Sequence, residues 1–312
     1  SLGSLFTLCA HAHQQCAQQA HAAALAQESG SSPHQNLLWL TTRDHLRSVA
    51  LDWPARLMPQ QPPDLSWLQG CPVALGAAVP QDATVATQQM RALAHWLQTT
   101  LLHEPLDSWL ERCASDQSLL AWCHAQPTRS APAQALLHAE PLCALPAVAL
   151  QPLPAGDADA LRALANVLWN DADFCQYPTW LGRCAETGPW VRCSHPGGVM
   201  RTPWTRLASR LRELVELAAL AQTGQPASLA HGALTLATGC GVAWCEMARG
   251  LLLHSVRIDD QGRVQDYRVL APTEWNFHPE GNLGQAVASL APDDRGLARL
   301  LAAAFDPCVA CL

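Results

Sequence analysis

Asp306-Pro307-Cys308-Val309-Ala310-Cys311-Leu312 closes the chain, and its reading decides the fold. A Cys-x-x-Cys pair lets two thiolates grip one metal ion, but two thiolates do not complete a site. The remaining ligands must come from elsewhere, and the obvious donor lies at the opposite end, in Cys9-Ala10-His11-Ala12-His13. The expected fold therefore brings the two chain ends together. If Cys9 and Cys311 share an ion at roughly 2.3 Å from each, their sulfurs lie within about 4 Å. On these residues alone, zinc, a redox disulfide and plain burial all stay open.

The 312 residues suffice for a substantial core, in one large domain or two small ones. Only 14% are charged and 49% are hydrophobic, which predicts much buried surface or a partner-covered face. A net charge of −7 without a Lys/Arg cluster argues against nucleic acid. No apolar run reaches the roughly 18 residues that span a bilayer, and no charged-then-apolar signal opens the chain, so it reads as soluble and cytoplasmic. Thirteen cysteines, an odd number without a secretion signal, favour free thiols over disulfides. Cys71, Cys113, Cys123, Cys143 and Cys175 stand alone and read as core or surface residues without chemistry.

Residues 5–28 are rich in Ala, Gln and Leu and predict a helix. Asp44 to Leu57 predicts a second, short one, broken by Pro54. Prolines 59, 62, 63, 72 and 80 mark residues 58–80 as surface loop, and Pro127 to Pro154 reads as another irregular stretch. Residues 204–222 place Trp204, Leu207, Leu211, Leu214 and Val215 at helical spacing, with Arg206, Arg210, Arg212 and Glu213 largely opposite. That predicts a helix with one buried face, ending before Gly224. Leu251–Ile258 and Val264–Leu270 form a hairpin pattern around Asp259-Asp260-Gln261-Gly262-Arg263, and residues 282–304 return to a helical pattern. The fold class expected is α+β, predominantly helical, with a small antiparallel β element near the C-terminus, in one domain over residues 1–312.

Five segments, in order, resemble the large subunit of nickel–iron hydrogenases. Asp306-Pro307-Cys308-x-x-Cys311 resembles its second cysteine motif. Glu246-Met247-Ala248-Arg249-Gly250 with His254 resembles its Glu-x-Pro-Arg-Gly-x-x-x-His. Ala271-Pro272-Thr273-Glu274-Trp275-Asn276 with Pro279 resembles its Pro-Ser/Thr-x-Trp-Asn-x-x-Pro. Glu186-Thr187-Gly188-Pro189 with Arg192 resembles its Glu-Thr-Gly-Pro segment, and Cys9 to His13 the second half of its first cysteine motif. Asp44-His45 with Asp52-Trp53 is a weaker sixth match. The resemblance runs from residue 4 to 311 and leaves the divergent, partly Pro-rich residues 58–170 unmatched. It implies a large-subunit-like fold.

The departures shape the expected function. In the family four cysteines hold the metals, two bridging nickel and iron and two terminal on nickel. By the resemblance Cys9 and Cys311 correspond to the bridging pair, and Phe6 and Cys308 to the terminal pair. Phe6 cannot be a ligand, so one nickel thiolate is lost while both iron-bridging thiolates remain. The resemblance further implies that Arg249 and Thr273 donate to the two cyanides of an Fe(CN)2(CO) unit, in one pocket with Pro272 and His13. Ala248 replaces a proline and loosens that pocket. The family's N-terminal Arg-x-Glu-Gly-His segment and its histidine three positions past the last cysteine do not occur here, a picture that trimming of both ends would equally produce. The pattern resembles the HupK/HoxV group of large-subunit-like maturation proteins. That implies a non-catalytic scaffold holding Fe(CN)2(CO), without stoichiometric nickel, between a HypC–HypD-type complex and the apo large subunit. A divergent hydrogenase and a structural zinc module on Cys9, His13, Cys308 and Cys311 are the competing readings. Cys16 lies two helical turns beyond Cys9 and reads as core packing, and Cys240 and Cys245 have no assigned role.

Overall fold

The apolar runs of the last third of the chain build a four-stranded antiparallel meander: β1 His231–Ala237, β2 Cys240–Met247, β3 Gly250–Ile258 and β4 Val264–Leu270. The computed structural model describes residues 10–27, 34–62, 64–80, 82–125, 130–149, 151–192, 200–227 and 229–307. The β3–β4 hairpin is the one expected. Its loop is tied by Asp259, whose Oδ1 accepts the N–H groups of Gln261 and Arg263 at 2.9 and 2.8 Å. Strands β1 and β2 were not anticipated, because Cys240–Met247 is buried on both faces and shows no alternation.

Contacts group the chain into two compact units, each made of three stretches. One comprises residues 1–37, 151–188 and 229–285, the other residues 38–150, 189–228 and 286–312. In the first, the helix Ala10–Ala24 lies on one face of the sheet, with Ala20 and Ala24 packed on Ala243 and Val256. The helix Ala158–Asn170 and Trp275 join the opposite face through Leu161, Leu164 and Leu168, packed with Val242, Trp244, Leu251 and Leu253. Helix 10–24 sits unusually close. A Cβ on Gly241 of β2 would lie 2.2 Å from the Ala20 carbonyl oxygen, so only glycine lets the two backbones approach this far.

The second unit is helical around Pro203–Thr223, which starts at a Thr202–Thr205 capping box and stops at Gly224 with φ +74°. The expected single buried face is corrected here. Arg206 and Arg210 are fully buried, Arg212 and Glu213 nearly so, and the helix is enclosed nearly all round. The Arg206 guanidinium lies 4.5 Å from the Phe305 ring centre and that of Arg210 5.6 Å from Trp190. Arg212 donates to the carbonyls of Cys113 and Leu110. Flat guanidinium faces satisfied by aromatic rings let arginines serve as core residues.

Pro54 does not break its helix. It falls in the first turn of Trp53–Leu57, where a missing N–H costs nothing, after a π-turn at Ser48–Asp52 that continues His34–Arg47. Pro132 likewise opens a helix, Ala131–His138, inside the stretch expected to be irregular. Among the described residues of 58–80, the path is irregular apart from one 3-10 turn at Ser66–Leu68. The C-terminal helical pattern resolves into Asn282–Ala288 and Arg295–Ala304. No described helix is long and apolar enough to cross a membrane.

Candidate functional site

The first unit gathers four of the sequence segments that carry the expected chemistry. His13 on helix 10–24 is buried, and its Nδ1 lies 2.9 Å from Nε2 of His254 on β3. His254 Nδ1 in turn meets the Tyr267 hydroxyl. A consistent proton assignment runs Tyr267 O–H to His254 Nδ1, then His254 Nε2–H to His13 Nδ1, leaving His13 protonated on Nε2. Burial pushes His13 down to about 4; burial, then the adjoining His13, pushes His254 down to about 3. Both imidazoles are therefore neutral at pH 7.

Arg249 occupies the two-residue turn between β2 and β3, where Met247 pairs with Gly250, and it is buried. Gly250 follows at φ +128°, and a Cβ there would sit 2.5 Å from Thr187 Cγ2. Thr187 is the hub that closes this corner. Its hydroxyl accepts the Leu251 N–H at 2.8 Å, its own N–H donates to Asn276 Oδ1 at 3.0 Å, and Asn276 Nδ2 donates back to its carbonyl at 2.9 Å. Glu186 accepts from Asn282. Pro272 is buried at the start of the short helix Pro272–Asn276, and Thr273, half-buried, donates to Glu274 at 3.4 Å. The segments of Arg249 and of Pro272 and Thr273 are thus joined through Thr187. His13 joins the same strand at His254.

The second unit joins His45 and Arg192, each quoted in a resembling segment, on Glu213, a meeting that the sequence did not report. His45 Nε2 donates to Glu213 at 2.5 Å, and Arg192 donates to both carboxylate oxygens of Glu213 at 2.8 Å. Burial alone would raise the Glu213 carboxyl, but the Arg192 charge and the hydrogen bonds outweigh it and hold it down at about 2. Burial lowers His45, so His45 donates as a neutral ring and Arg192 is the ionic partner of Glu213. Nearer the C-terminus, Asp306 stands at φ +52°. Arg210 Nη1 reaches its carboxylate at 2.9 Å and Arg56 Nη1 at 2.8 Å, while Arg56 Nη2 donates to the Pro307 carbonyl at 2.9 Å. Two arginines thus hold the backbone that leads into Cys308. The readable signal was four charged residues, Arg206 to Glu213, crowded into a chain so poor in charge.

Cys9, Cys308 and Cys311, the expected ligands, lie outside the described residues, as does Phe6. Among the described residues no group of three or more His, Cys, Asp or Glu side chains is arranged to hold a metal ion. Cys113 and Cys123 are buried, and burial pushes their thiols up to about 11 and about 12.

Residues 204–312 match the model of the nickel-dependent hydrogenase family. Over 99% of its length the chain is 37% identical to the hydrogenase expression/formation protein HoxV of Cupriavidus necator, covering 84% of that protein. It is 38% identical to the hydrogenase expression/formation protein HupK of Bradyrhizobium diazoefficiens over 49% of this chain and 44% of the relative. An NAD+-reducing NiFe-hydrogenase in the H2-reduced state shares the fold, with a TM-score of 0.50 and 14% identity, over 98% of this chain and 85% of that one. The architecture is that of a nickel–iron hydrogenase large subunit.

Proposed function

This chain belongs to the HoxV/HupK family of hydrogenase expression/formation proteins, and we propose that it is a non-catalytic scaffold that holds the Fe(CN)2(CO) unit before transfer to the apo large subunit. The iron unit is cargo. Cys9 and Cys311, with Cys308, supply soft thiolates suited to low-spin iron. Arg249 and Thr273 supply a guanidinium and a hydroxyl for the anionic cyanide nitrogens. His13 and Pro272 complete the pocket wall.

Phe6 is the observation that carries the reading. At the position of a nickel thiolate it offers no lone pair, so the iron ligands survive while the nickel set is incomplete. The burial of Arg249 and the Thr187 hub behind it support the same reading, because a donor built into a rigid corner is oriented before cargo arrives. A HypC–HypD-type complex is the proposed source of the unit. Three thiolates and Ala248 in place of proline make a pocket loose enough to release it to the large subunit.

Infrared spectra of protein purified without oxygen test this directly. Cyanide and carbon monoxide stretches are expected, with iron and without stoichiometric nickel. Cys9→Ala or Cys311→Ala should abolish the bands, and Cys308→Ala should weaken them less. One nickel per chain together with hydrogen oxidation would establish an enzyme instead. One zinc per chain with no such bands would establish a structural zinc module.

A further inference from the structure

Two thiols that the iron chemistry leaves unused lie against each other in the first unit. Cys16 on helix 10–24 and Cys245 on β2 are 229 positions apart in sequence, yet their sulfurs are 3.2 Å apart, with the Cys16 S–H directed at Cys245 Sγ. Both are buried, at 0% and 1% exposure. The approach is set by the backbone, since Gly241 on the same strand brings β2 directly under Ala20 of the helix. A thiol–thiol hydrogen bond is weak and does not account for a matched pair in a small-residue interface.

We propose that Cys16 and Cys245 are a redox modification site that closes to a reversible disulfide, stitching helix 10–24 to the sheet. The sulfurs need to approach by roughly 1 Å to reach bonding distance, which side-chain rotation can supply. The oxidant is a peroxide. Cys245, the acceptor of the thiol–thiol bond, gives up its proton and its sulfur attacks one peroxide oxygen. The O–O bond breaks, one water leaves and Cys245 becomes a sulfenic acid. Cys16 sulfur then attacks Cys245 sulfur. The S–O bond breaks, and the hydroxyl leaves with the Cys16 proton as a second water. Two thiols and one peroxide thus give one disulfide and two waters, and a small dithiol reverses it by exchange.

Both residues are buried, so peroxide reaches the pair slowly while the helix is docked. The closed bond records that the helix is seated. Because helix 10–24 begins at the residue after Cys9, the stitch also anchors the base of that segment. This holds whatever metal Cys9 or Cys311 binds.

The full chain, purified with reductant, would be exposed to hydrogen peroxide, acid-quenched, alkylated, digested and mapped by mass spectrometry. The expected result is a Cys16 peptide linked to a Cys245 peptide, formed after exposed Cys143 has oxidised and lost with dithiothreitol. The thermal midpoint should rise by several degrees on oxidation in the wild type, and not in Cys16→Ser or Cys245→Ser. Recovery of both cysteines as alkylated thiols after prolonged peroxide that has consumed Cys143, or linkage of either to a different cysteine, would overturn the assignment. The wild-type map decides even where a serine variant folds poorly.

Discussion

At His254 both ring nitrogens are committed, one to His13 and one to Tyr267, in an interior that holds its pKa at about 3 against 6.5 in an open chain. The unfolded chain therefore binds the proton first on acidification. The stability His254 contributes is fully present above about pH 6.5 and is lost progressively as pH falls towards 3, at up to about 1.4 kcal/mol per pH unit. His13, lowered to about 4, adds in the same direction. Denaturant melts between pH 7 and 4 should show a clearly shallower slope for His254→Gln. An unchanged slope would mean that the wild-type ring is not held neutral. Asp306 provides a second residue-level outcome. Asp306→Asn removes one charge from a buried pair with Arg210 and should cost about 3–5 kcal/mol. Arg56→Gln, at a partly exposed partner, should cost no more than about 1 kcal/mol in the same urea titration. The identity of His13 was visible in the sequence and its partner was not, because the two histidines are 241 residues apart and no local spacing reports such a contact.

Helices and strands were legible where their surroundings differ on two sides. The β3–β4 hairpin showed itself through its turn residues, and helix 203–223 through its period and its glycine stop. What the pattern could not report was a second buried side. Charged residues ordinarily mark solvent, so Arg206, Arg210 and Glu213 pointed the wrong way until their aromatic and ionic partners were seen. Helix 10–24 is the element whose seating is easiest to probe. Gly241→Ala forces a methyl group into the Ala20 carbonyl and the Ala24 amide, so the helix must lift. A loss of about 1–3 kcal/mol is expected, with faster amide hydrogen exchange confined first to residues 10–24. Uniform exchange across the unit would show that helix and sheet open together.

At the scale of the molecule, the large-subunit architecture was legible because its motifs survive in order, and the grouping into two units was not, since each unit draws on three separated stretches. The proposed role makes a cellular prediction. Cells lacking this chain should accumulate large subunit without its iron ligands. If the large subunit instead matures at its normal rate, with oxygen high and low, the scaffold role is wrong whatever metal the chain binds. The interleaved stretches also bear on synthesis. Helix 10–24 leaves the ribosome far ahead of the strands it covers, and Cys16 precedes Cys245 by 229 residues. At roughly 5–20 residues per second that is a wait of about ten to fifty seconds. The segment next to Cys9 is thus born long before it has anything to fold against, and any protein that shields nascent thiols has that interval in which to act.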